Sequence, residues 1–102
     1  MFRINGIDWT IRFVDSQSAL LQRSDGSQTV GMADWSTKTI YLSDDLHGEF
    51  LKKVITHEIV HCVIMSTGIV MNIYQEEELA DFVATYGATV LRLTRILMER
   101  IQ

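Results

Sequence analysis

Three residues in the run His57-Glu58-Ile59-Val60-His61 have the types and spacing to do chemistry together. The pattern is H-E-x-x-H. On an α-helix, residues four apart share a face, one turn from each other. Two imidazoles placed that way can hold one Zn²⁺. Glu58 sits beside them, where a carboxylate can take a proton from a water. The chemistry implied is metal-assisted hydrolysis, with His57 and His61 as ligands and Glu58 as general base.

A catalytic zinc takes three protein ligands and keeps one open position. His47 lies ten residues before His57, about 15 Å along a helix, and is discounted as a ligand. Glu76-Glu77-Glu78 is the better source. Glu77, Asp81, Ala84, Ala88 and Leu91 fall on one helical stripe. Glu77 and Asp81, four apart, would face the first helix together. Glu77 would then ligate the metal while Asp81 accepts the N–H of a ligating histidine. Glu78 and Glu76 lie about 100° to either side and are the lesser alternatives. Cys62 is turned about 100° from His61 and reads as a core thiol. Tyr74 is a candidate donor to an oxyanion, with His47 and Tyr41 as further candidates.

The rest of the chain must supply the elements that hold these groups. Ile7 to Val14 alternates Ile7, Trp9, Ile11 and Phe13 with polar residues and predicts a strand. Asn5-Gly6 before it is a turn signal, as is Asp25-Gly26 later. Ser16 to Arg23 fits a short helical turn or another strand. Gln28 to Trp35 predicts a second strand, in which Gly31 marks a weak point or a close backbone approach. Thr39 to Ser43 predicts its hairpin partner. A helix is expected from about Glu49 to Thr67, stopped by Gly68. A second helix opens at Glu76-Glu77-Glu78 and runs to about Arg100, with its last turns expected to project past the core. The fold class expected is α+β. A small three- or four-stranded, mostly antiparallel sheet packs on the H-E-x-x-H helix and on a second long helix, in one domain over residues 1–102.

Composition narrows the function classes. The chain has 102 residues, 47% of them apolar, which suits one modest core. A formal charge of −4 gives no reason to expect nucleic acid or an anionic membrane as partner. The single cysteine, Cys62, allows no internal disulfide and fits a reducing compartment. Residues 1–6 lack the apolar run of a signal peptide, and no apolar stretch is long enough to span a membrane. A soluble, cytoplasmic protein is expected.

H-E-x-x-H on one helix followed by E-x-x-x-D on the next resembles the glutamate-type zinc metallopeptidases, the gluzincins. The nearer resemblance is to the small ImmA/IrrE-like peptidases and their phage relatives. It rests on Gly31-Met32-Ala33-Asp34, Thr39-Ile40-Tyr41-Leu42, Asp45-Leu46 and Glu77-Glu78-Leu79-Ala80-Asp81-Phe82, and covers about residues 28 to 91. It implies Zn²⁺ on His57, His61 and Glu77, Glu58 as base, and Asp81 orienting His57. It also implies a peptide or protein substrate, with a transcriptional regulator as one candidate. The strand expected nearest the cleft, Thr39 to Ser43, would bind an extended peptide by main-chain hydrogen bonds. The function expected is therefore a zinc-dependent metallopeptidase. The alternative is a catalytically silent zincin-fold protein that binds or regulates, of phage or toxin–antitoxin type.

Overall fold

The computed structural model describes residues 1–102. Strands β1 (Phe2–Ile4) and β2 (Ile7–Val14) form the first hairpin. Asn5 and Gly6 turn it with φ of 50° and 80°. Two successive positive φ values give the turn whose twist matches that of the strands it joins. A single 3₁₀ turn, Ala19–Leu21, follows, capped by the Ser18 hydroxyl. Strands β3 (Gly31–Asp34) and β4 (Thr39–Ser43) make the second hairpin. Asp34 ties its tip by accepting from the Ser36 backbone N–H at 2.9 Å and the Ser36 hydroxyl at 2.7 Å. Helix α1 spans Gly48–Thr67 and helix α2 spans Ile73–Ile101.

The sheet has four strands in the order β1-β2-β4-β3. Its outer pairings, β1 with β2 and β3 with β4, are antiparallel, while β2 and β4 run parallel. The sheet is thus mixed. The second hairpin returns β4, rather than β3, to the side of β2. The short β1 was not anticipated, and the strand expected over Gln28 to Trp35 contracts to four residues. Along β2, Ile7 and Trp9 face the core as the alternation predicts. Ile11 and Phe13 remain 40% and 50% exposed, so the apolar face of this strand outruns the helix that covers it.

The core lies between the sheet and α1. Trp9, Ile40, Leu42, Leu46, Val54 and Cys62 form its buried centre. Burying such side chains contributes about 1.5–3 kcal/mol each. Trp9 also fixes the far end of α1, since its indole N–H donates to the Ser66 hydroxyl at 2.8 Å. The Asn5 amide donates to the Ser66 carbonyl at 3.0 Å from the same hairpin. Gly68 then ends α1 in the left-handed conformation, φ 72°.

Helix α2 starts three residues earlier than expected, at Ile73. Asn72 and Gln75 bond each other's backbone N–H groups across its first turn. It packs chiefly on α1, and only Ala80 is buried. No helix is long and apolar enough to cross a membrane.

Candidate metal centre and its cleft

The two helices meet at the histidines. The i,i+4 spacing on α1 brings the His57 and His61 Nε2 atoms to 3.2 Å from each other. Glu77, in the second turn of α2, offers one carboxylate oxygen at 3.2 Å from His57 Nε2 and the other at 3.1 Å from His61 Nε2. The buried Ala80 lets α2 approach closely enough for this. The three groups form a cluster able to hold a metal ion.

Both histidines are oriented from behind. His57 Nδ1 donates to Asp81 at 2.9 Å, and His61 Nδ1 donates to Glu76 at 2.6 Å. A carboxylate can only accept, so each ring carries its proton on Nδ1. In a neutral ring Nε2 is then a bare lone pair. With both rings neutral, two such lone pairs and a carboxylate converge on one point. A cation at that point is what makes this donor set favourable. Ligand atoms on a zinc tetrahedron stand roughly 3.3 to 3.5 Å apart, for bonds of about 2.0–2.1 Å. The two histidine nitrogens, 3.2 Å apart, are close to that spacing, and one oxygen of Glu77 lies within 4.8 Å of both, so the donor set fits Zn²⁺.

Glu58 belongs to the site without belonging to the ligand set. It is buried, 7% exposed, on the turn of α1 that carries His57. Burial pushes its carboxyl above the ordinary value of 4.5, and the adjacent Glu77 pushes the same way. His57, His61 and the Ala33 backbone N–H oppose the shift. Space for this carboxylate comes from Gly31. A Cβ there would stand 2.7 Å from Val54 Cγ1 and 3.3 Å from both Cγ and Oε2 of Glu58. The close approach suspected at Gly31 is therefore between β3 and α1.

These groups open into a cleft of about 510 Å³ between β3 and the two helices. Gly31, Met32 and Ala33 form one wall, and Phe50, Lys53 and Val54 another. Arg23 and Thr29, joined by a 3.3 Å hydrogen bond, close one side from the loop before β3.

The structure brings together His57, Glu58, His61, Glu77 and Asp81 as expected from helical phase. It sets others apart. Tyr74 is 80% exposed on the first turn of α2, outside the cleft lining, and so is not positioned as an oxyanion donor. His47 is exposed and bonds the Asp45 carbonyl in its own loop. The Tyr41 hydroxyl donates to Thr37. Cys62 is fully buried in the core, and burial pushes its thiol up to about 12, the state of an inert packing residue.

One expectation is overturned. Strand β4 (Thr39–Ser43) cannot receive a peptide, because β2 and β3 flank it on both sides and all five of its residues are buried. The free edge belongs to β3, which also lines the cleft. Two features escaped sequence reasoning. Glu76 holds His61, a role open to a long side chain one position before the ligand. Arg23 and Lys53 bring positive charge to the cleft, and only the folded loop and helix face reveal it.

Comparison of the chain with protein-family models, with curated proteins and with solved structures returned no match. The functional reading rests on the geometry.

Proposed function

We propose that this protein is a zinc-dependent peptidase. The observation that carries the reading is the buried, non-ligating Glu58 beside a three-donor cluster. A purely structural zinc site closes with four protein ligands and has no use for that carboxylate.

His57, His61 and Glu77 would hold the ion, which when bound supplies Lewis acidity and a water that ionises near neutral pH. Asp81 and Glu76 keep the two imidazoles aimed at it. Glu58 takes a proton from the attacking water and gives it to the leaving nitrogen. Burial raises its pKa, the direction that favours taking up the proton. Gly31 and Ala33, whose main-chain groups turn to the open edge of β3, can hold an extended peptide by hydrogen bonds, replacing β4 in that role. The substrate is then a peptide or protein. The resemblance to ImmA/IrrE-like peptidases makes a transcriptional regulator the first candidate.

The test is Glu58→Gln in zinc-loaded protein, assayed on a mixed peptide library. Zinc content should stay at the wild-type level while cleavage falls by about 10²–10⁴-fold. Undiminished cleavage would remove Glu58 from the chemistry. Zinc binding with no cleavage by the wild type would favour the silent, regulatory reading of the same fold.

A further inference from the structure

The site uses only one face of α2, and the opposite side of that helix is unexplained. Leu79, Val83, Tyr86, Val90, Leu93 and Leu97 recur at alternating spacings of four and three. That repeat places them on one continuous stripe. Five of the six are substantially exposed: Leu79 39%, Tyr86 54%, Val90 50%, Leu93 49% and Leu97 53%. The stripe begins where α2 rests on α1 and continues along the half of the helix that extends beyond it.

We propose that α2 pairs along this stripe with α2 of a second copy, in antiparallel orientation. The stripe is self-complementary. A two-fold axis near residue 88 sets Leu79 against Leu97, Val83 against Leu93 and Tyr86 against Val90, so each rung joins two apolar side chains. Charge selects the direction. The first turns of α2 carry Glu76, Glu77, Glu78 and Asp81, while the last carry Arg92, Arg95 and Arg100 against the single acid Glu99. Antiparallel pairing brings the acidic end of one helix to the basic end of the other and opposes their dipoles favourably. Parallel pairing would set like against like. Arg100 continues the four-three repeat one step past Leu97, so in the antiparallel register it faces the acidic first turn of the second copy's α2. Arg100 has no ion-pair partner within the chain.

The stripe is roughly 27 Å long at 1.5 Å per residue. A helix pair of that length buries on the order of 1,200 Å² in total, at the lower end of specific interfaces, and so should associate at micromolar concentration. Glu77 and Asp81 lie about 160° around the helix from the stripe, so pairing leaves the metal cluster and its cleft open.

Sedimentation equilibrium on the full chain, loaded at roughly 1 to 200 µM, tests this. A monomer–dimer equilibrium is expected. Tyr86→Glu together with Leu93→Glu should give a monomer across the range, with helix content by circular dichroism retained. Surface charge provides a second arm that does not touch packing. Arg100→Glu should weaken the dimer roughly five- to tenfold by setting like charges together, while Arg100→Lys should leave it as tight as the wild type. A wild-type monomer throughout would overturn the proposal and leave the stripe to a different protein. A dimer insensitive to both sets of substitutions would overturn it too, and so would one that Arg100→Glu leaves as tight as the wild type.

Discussion

Each histidine at this site has two different neighbours, and the difference carries the chemistry. Nδ1 meets a carboxylate of its own, Asp81 or Glu76, and Nε2 meets the shared Glu77. Were the histidines only pins between two helices, one carboxylate each would satisfy them. The third, Glu77, lies against both Nε2 atoms and completes a donor set that could hold a metal ion. Glu58 adds a pH signature to the metal-free protein. Burial first, and Glu77 after it, raise its carboxyl above 4.5 in the folded state. A raised folded-state pKa favours the protonated form on folding. The contribution is complete below the ordinary carboxylate pKa and is lost as pH rises through the raised value. Metal-free Glu58→Gln should therefore be more stable than metal-free wild type at neutral pH. The gap should close as the pH falls below the ordinary value. Urea unfolding at a series of pH values, in chelator, measures it. A gap that widens toward acid would contradict the direction of the shift.

At the scale of elements, the site depends on how closely β3 lies over α1. Gly31→Ala should cost about 1–3 kcal/mol, because Val54 and Glu58 must move to admit the methyl group. Unfolding in urea with bound zinc reads this directly, and a neutral effect would show that the strand is free to lift. Both helices were legible in the sequence because their signals are local. The i,i+4 histidines, the glycine stop and the small-residue stripe on α2 each act within a turn or two. The strand order was not legible, because it depends on which strand the second hairpin returns to β2. That choice is made by packing between residues far apart in the chain. It also decides which strand has a free edge, so the peptide wall was assigned to β4 rather than β3. Arg23 reaches the cleft from a loop that has no period to read. Glu76 was legible as a type but not as a role, since phase predicts faces and does not say how far a long side chain bends back.

For the whole molecule, the metal cluster joins its two helices. One shoulder of the core is the sheet on α1. Helix α2 packs on α1 around the buried Ala80 and the cluster of histidines and carboxylates. An ion held by ligands from both helices would add its binding free energy to that joint. The principal extents of 51 × 31 × 27 Å reflect a long α2 packed on α1, on the far side of that helix from the sheet. The most direct measurement is therefore zinc content per chain in purified protein, wild type beside Glu77→Ala and Glu78→Ala. About one zinc per chain is expected in wild type and in Glu78→Ala, as one three-donor site requires, with zinc lost in Glu77→Ala. No zinc in wild type after it is offered at neutral pH, or equal zinc in all three, would contradict the assignment of His57, His61 and Glu77 as a metal centre.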